Sequence, residues 1–318
     1  MKICIVGAGA IGGYLGAKLI NAGLDITLIA RGLHLEAIKK NGLTIIEKDK
    51  KIICHPKCSD SFDHLGKMDF IFITLKAYSI LEIAKEIAKM FHKNTSVITA
   101  YNGIPWWYFY NIGGKLNNYH IKCIDPENIL WDTINPERVI GCVVYPATEI
   151  VEPGVIKHIE GSRFSLGEPT GIESERTIRL SKALFSSNLK APIRNNIRQE
   201  IWTKLIGNLA FNPLSVITGE TLDILLSKKE NRKIVYSAMK EAILIMDKLE
   251  VKLNISIEKR IEGAAKVGAH KTSMLQDYEK GKKLEIDSIV MAVKEIGTLL
   301  DINTPTIDQI LLEVKKKI

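Results

Sequence analysis

The stretch Lys2-Ile3-Cys4-Ile5-Val6-Gly7-Ala8-Gly9-Ala10-Ile11-Gly12 decides the fold. Its first five residues are mostly apolar and β-branched and read as a short buried strand. They run straight into a glycine cluster. Residues 11–22 then read as a helix closed by Gly23, a residue suited to a helix C-terminus. Residues 26–30 form a second apolar run. Strand, glycine loop, helix and strand in that order make the βαβ unit of a parallel sheet.

The glycine spacing is GxGxxG, and each glycine has a physical reason. Gly7 permits a tight turn out of the strand. Gly9 lacks a Cβ, so a pyrophosphate can approach the backbone. Gly12 lets the helix close on the sheet. Along the same loop, Ala8, Ala10 and Ile11 place backbone at a helix N-terminus, where free N–H groups and a partial positive charge favour phosphate. The motif alone is weak, but between a strand and a helix it predicts a dinucleotide site. The plainer alternative is a glycine-rich turn in another α/β fold. A site for NAD would place an acid at the end of the second strand, to bond the ribose 2′-hydroxyl. Here the strand ends Ile29-Ala30-Arg31, and an arginine there can pair with a 2′-phosphate. NADP(H) is therefore the expected cofactor, against the alternative that Arg31 is a solvated loop residue.

Further along, residues 70–74 and 96–99 read as buried strands with a helical stretch at 80–90 between them. Residues 139–145 and 155–158 flank Pro153-Gly154 and suggest a hairpin. Residues 164–166 add a short strand and 177–186 a helix. After about Asn195 strand patterns stop, and residues 199–211, 229–249, 256–268 and 285–299 carry helical periodicity. The chain has 318 residues, more than one core usually supports. The expected architecture is a Rossmann-type α/β parallel-sheet domain over residues 1–195, followed by an all-α domain over 196–318.

Composition narrows the function classes. The charge of +8 comes from 44 basic and 36 acidic residues and suits anionic small molecules. Its longest basic runs are short, so solvated surface is the expected reading and nucleic acid is not. No run is long enough to span a bilayer, and no export signal is visible. Five cysteines at irregular spacing imply no disulfide framework. Cys54, His55 and Cys58 lack the further ligands a zinc site needs, so no metal is expected. Free thiols and no export signal point to the cytoplasm.

The helix over residues 199–211 contains an odd polar row. Lys204, Asn208 and Asn212 stand four residues apart and share one face. Their neighbours Trp202, Leu205, Ile206, Leu209 and Phe211 read as buried. Polar groups in such company need partners. A solvated stripe is the bland reading, and it suits a lysine better than two asparagines, which are poor mid-helix residues. Downstream, Glu285 opens a helix among Leu284, Ile286 and Ile289. It could pair with Lys204, or be an acid favoured by the helix dipole.

These features together resemble the ketopantoate reductase (2-dehydropantoate 2-reductase) family. The resemblance covers almost the whole chain: the glycine loop, Arg31, Leu75-Lys76, Asn102-Gly103, Trp202-Thr203-Lys204 with Asn208 and Asn212-Pro213, Ser273-Met-Leu-Gln-Asp277, and Glu285-Ile-Asp287. It implies reduction of a 2-keto acid by NADPH. Lys204 would be the general acid for the new alkoxide, a role an ammonium group suits because it also stabilises the charge. Glu285 would orient the lysine and the substrate hydroxyl. Asn208, Asn212 and Ser273 match substrate-binding positions, and Lys76 and Asn102 match the junction of cofactor and substrate.

Two features depart from the family pattern. Tyr101 stands where a glutamine is common. The run Ile104-Pro-Trp106-Trp107-Tyr108-Phe109-Tyr110, continuing to Trp131, is unusually aromatic. It predicts either a wall or lid that selects a different keto acid, or a cap helix packing onto the domain or a second subunit. Apolar helix surface in the second half would also allow a homodimer. Two rival classes remain. A non-catalytic NADP(H) sensor would not need Lys204, Asn208 and Glu285. A hydroxyacyl-CoA-type dehydrogenase would need a catalytic histidine, and none of His34, His55, His64, His92, His120, His158 and His270 lies on the helix of Lys204.

Overall fold

The computed structural model describes residues 1–48, 50–253 and 255–318. The described chain divides into two compact units. The first comprises Met1–Tyr101, Trp107–His120 and Glu127–Ile197, and the second Asn102–Trp106, Ile121–Pro126 and Arg198–Ile318. A single boundary near Asn195 does not anticipate the two short segments that join the second unit.

The first unit opens with β1 (Lys2–Val6), α1 (Ala10–Asn21), β2 (Asp25–Ile29) and α2 (Gly32–Asn41). Next come β3 (Leu43–Glu47), β4 (Lys50–Cys54), β5 (Lys57–Ser59), β6 (Phe70–Ile73), α3 (Ala84–Ala88) and β7 (Ser96–Thr99). It closes with α4 (Ile129–Ile134), β8 (Val139–Val144), β9 (Ala147–Glu152), β10 (Val155–Glu160), β11 (Phe164–Gly167) and α5 (Glu175–Ser186).

Seven of these strands form one sheet in the order β11-β8-β7-β6-β1-β2-β5. It is parallel except for β11, which runs antiparallel to β8. β1 lies between β2 and β6, with Val6 in register with both Ile29 and Ile73. The strand order reverses beside β1, and ligands of open α/β sheets bind outside the carboxyl ends of the strands at such a point. Ile3, Ile5, Phe72, Ile98 and Ile140 are buried along this sheet, the continuous apolar character expected of strands covered on both faces.

A second sheet of four strands runs β4-β3-β10-β9. It corrects the expected hairpin. Pro153-Gly154 does turn a hairpin, but the strands are β9 and β10, while residues 139–144 are β8 in the main sheet. β9 is largely exposed, so it lacks the clean alternation that would have separated it from a loop.

The second unit is helical. It contains α6 (Ile197–Thr218, whose first residue belongs to the first unit), α7 (Leu222–Ser227), α8 (Lys229–Lys248), α9 (Ile257–Ala265), α10 (Ser273–Glu279), α11 (Ala292–Leu299) and α12 (Pro305–Lys315). A five-residue π turn, Asp287–Met291, leads into α11. The helix expected to end near Phe211 runs on through Pro213. Proline removes one helical N–H and crowds the carbonyl four residues back. Here buried Leu214 and Val216 continue the apolar face and hold the helix together.

Candidate active site

Within the first unit, the loop after β1 has the shape its glycines require. Gly7 has φ +103°. A Cβ on Gly12 would lie 2.1 Å from the Gly7 carbonyl oxygen and 2.4 Å from Thr74 Oγ1, so any side chain there would push α1 off the loop. A Cβ on Gly9 would meet nothing within 4 Å. That open side, at a helix start where no side chain caps the backbone, leaves the amides of Ala10, Ile11 and Gly12 without an i−4 partner. Such a cradle fits a pyrophosphate.

The loop is pinned from behind. The amides of Gly7 and Ala8 both donate to the Ile29 carbonyl, at 3.1 and 2.7 Å. Thr74 Oγ1 donates to the Gly7 carbonyl at 2.6 Å. His34 Nε2 donates to the Ala8 carbonyl at 2.8 Å. Arg31 is exposed at the N-cap of α2, and no acid stands between the end of β2 and that helix. Lys76, half-buried, precedes the short turn Ala77–Ser79 after β6.

Within the second unit, Lys204, Asn208 and Asn212 all lie on α6 at a four-residue spacing. Trp202, Leu205, Ile206 and Leu209 beside them are fully buried. Lys204 and Asn208 are half-buried and Asn212 is only 5% exposed, so the row is not a solvated stripe. A chain of hydrogen bonds ties it to α10. Ser215 Oγ donates to the Asn212 carbonyl at 2.7 Å and lies 2.6 Å from Thr272 Oγ1, which accepts from the Leu275 amide. Ser215 has one proton and spends it on Asn212, so Thr272 is the donor between the two hydroxyls. Thr272 caps α10, whose first residue is Ser273, and Ser273 is exposed. The relay therefore fixes Ser273 relative to Asn212.

Glu285 is 5% exposed and directly precedes the helical turn that opens the π segment. The π turn serves a second purpose. The Ile104 amide donates to the Ser288 carbonyl at 2.8 Å, and Cys123 Sγ donates to the Asp287 carbonyl. Gly103 has φ +89°, and a Cβ there would lie 2.5 Å from that same Ser288 carbonyl oxygen. Asn102-Gly103 is thus seated on the element that begins at Glu285, although the two are far apart in the chain. The second unit consequently contains Asn102, Lys204, Asn208, Asn212, Ser273 and Glu285. The first holds the glycine loop, Arg31 and Lys76.

The first part of the aromatic run packs as expected of the second reading, but through turns and not as a helix. Residues 106–110 adopt turns, and Trp106, Trp107, Tyr108 and Phe109 are at most 1% exposed. Trp107 Nε1 donates to Thr99 Oγ1 at 3.0 Å, and Phe109 packs edge-on against Tyr108 and Tyr119. These four rings are buried, whereas Tyr110 and Trp131, which pack edge to face, remain half-buried. Two contributors escaped the sequence reading: His34 and the π turn at Ser288. Neither has a local signature: His34 acts through the Ala8 and Gly154 backbone, and nothing in the local sequence marks a π turn.

Comparison with known proteins completes the assignment. Residues 3–171 match the family model of ketopantoate reductase PanE/ApbA, and residues 196–317 match that of its C-terminal domain. The chain is 48% identical to a 2-dehydropantoate 2-reductase of Mesorhizobium japonicum, over 99% of this chain and 97% of that one. A 2-dehydropantoate 2-reductase of Pyrococcus horikoshii is 30% identical over 96% of this chain and 93% of its own. Among solved structures, a candidate ketopantoate reductase of Ralstonia solanacearum superposes with a TM-score of 0.95 at 36% identity, covering 99% of this chain and 97% of that one. A D-mandelate dehydrogenase solved with NADH and anilino(oxo)acetate shares the fold, with a TM-score of 0.85 at 23% identity over 100% of this chain and 98% of its own. With both halves matched in order, the chain belongs to the ketopantoate reductase PanE/ApbA family.

Proposed function

We propose that the chain reduces the ketone of 2-dehydropantoate to the secondary alcohol of pantoate with NADPH, a step toward pantothenate and coenzyme A. The observation that carries this reading is the row Lys204, Asn208 and Asn212 in the largely apolar middle of α6, in the unit that also holds Glu285, Ser273 and Asn102. Such a row is costly for folding alone and suits a small polar anion.

The dinucleotide, when bound, supplies the hydride. The residues do the rest. The amides at the start of α1 hold the pyrophosphate against Gly9. Arg31 pairs with the 2′-phosphate, which it can grip through two parallel donors, and Lys76 lies at the junction of cofactor and substrate. Asn208, Asn212 and Ser273 bind the substrate's carboxylate and hydroxyl. Lys204 Nζ donates a proton to the ketone oxygen as negative charge develops there, and its charge stabilises that oxygen before the proton moves. Glu285 orients the lysine and the substrate hydroxyl. Asn102 orients the reacting carbonyl.

Replacing Arg31 by Ala tests the cofactor choice. The Michaelis constant for NADPH should rise about tenfold or more, while that for NADH changes little. An equal change for both would remove the argument for NADP(H).

A further inference from the structure

His34 lies on α2, three residues beyond Arg31, and uses both ring nitrogens within the first unit. Nε2 is 2.8 Å from the Ala8 carbonyl oxygen, which can only accept. Nδ1 accepts from the Gly154 amide at 3.0 Å. These bonds fix the neutral Nε2–H tautomer. Burial holds the imidazole below its ordinary pKa, partly opposed by the bond to Ala8. His34 therefore bridges the dinucleotide loop and the hairpin turn of the second sheet.

A peptide unit is planar and trans, so the Ala8 carbonyl and the Gly9 N–H point in opposite directions. Drawing the Ala8 carbonyl toward His34 turns the Gly9 N–H away from it. Gly9 is the position whose Cβ direction is open. The amides of Gly7 and Ala8 are already committed to Ile29, so the next peptide sets how the loop presents its donors.

We infer that His34 is a positioning residue for the cofactor: its bond to the Ala8 carbonyl presets the Gly9 peptide that receives the pyrophosphate. The inference rests on the dinucleotide reading of the loop. It acts on the phosphates common to both cofactors and not on the 2′-phosphate near Arg31, so NADPH and NADH should feel it equally.

Two replacements separate the two ends of the ring. Asn places a carbonyl oxygen near the position of Nδ1 and keeps the Gly154 partner. Gln reaches the position of Nε2 with an N–H and keeps the Ala8 partner. Dissociation constants for NADPH and NADH are measured by fluorescence titration, with Tm recorded for each variant. His34→Asn should weaken both dinucleotides by the same factor, about tenfold for one lost hydrogen bond to the loop. His34→Gln should bind both within about twofold of the unmodified chain, with Tm lowered by loss of the Gly154 bond. Undiminished binding in His34→Asn, equal losses in both variants, or a loss confined to NADPH would overturn the inference. Should His34→Asn fail to fold, His34→Gln decides alone, and weakened binding there contradicts it. Failure of the unmodified chain to bind either dinucleotide would overturn the loop reading itself, and this inference with it.

Discussion

Lys204 is the residue on which the proposed chemistry turns. Lys204 is half-buried on a helix whose neighbours Trp202 and Leu205 are fully buried. Lys204→Ala should reduce kcat by ~10²–10⁴-fold, the range for a lost general acid, while NADPH affinity by titration stays near that of the unmodified chain. Simultaneous loss of dinucleotide binding would show that the lysine holds the fold or the cofactor instead. The glycine loop and the half-buried lysine–asparagine row were visible in the sequence because each is a local pattern whose geometry follows from its spacing. His34 and Ser288 were not, because each acts through a backbone group brought close only by folding: Gly154 in one case, Ile104 in the other.

Two elements that hold the proposed site can be tested without touching a proposed catalytic group. Gly103 combines a positive φ with a close approach to Ser288. Gly103→Ala should lower kcat/KM for the keto acid by about tenfold or more by shifting Asn102, through strain of about 1–3 kcal/mol; unchanged kinetics would show that the seat on the π turn is dispensable. The Ser215–Thr272 relay ties α6 to α10. Thr272→Val removes both the cap of α10 and the donor to Ser215, and should cost about 1–3 kcal/mol in chemical denaturation and raise the KM for the keto acid. Sequence reading was weakest on β3 and β4 of the second sheet and on β5 at the edge of the first, which were missed: β4 is mostly exposed and β5 is three residues long, and periodicity needs a longer strand with a buried face to show. For the aromatic run, composition left two readings open, and only packing decides that Trp106 to Phe109 are core.

For the whole molecule, the two matched family regions and the two compact units describe one plan, an α/β sheet unit followed by a helical one. No helix among the described residues is long and apolar enough to cross a membrane. Stability against acid should depend on Glu168, buried at the end of the sheet beyond β11. Burial pushes its carboxyl up, but hydrogen bonds from Arg176, Ser174 and Thr177 outweigh this and hold it below the usual 4.5. A carboxyl with a lowered folded pKa stabilises the protein above its unfolded pKa, and that contribution is lost as pH falls through the folded value. Tm should therefore decline on acidification below about pH 4.5. Glu168→Gln should cost about 2–4 kcal/mol at neutral pH and flatten the acid limb of a Tm–pH profile; an unchanged limb would place the acid sensitivity elsewhere. The most direct test of the central claim is NADPH oxidation, followed by near-ultraviolet absorbance, with ketopantoate, pyruvate, 2-ketoisovalerate and an aromatic 2-keto acid compared under one set of conditions. A clear preference for ketopantoate is expected from the family match over both halves of the chain and the polar row on α6. Turnover of the aromatic acid in preference, or NADPH binding without ketopantoate reduction, would contradict it.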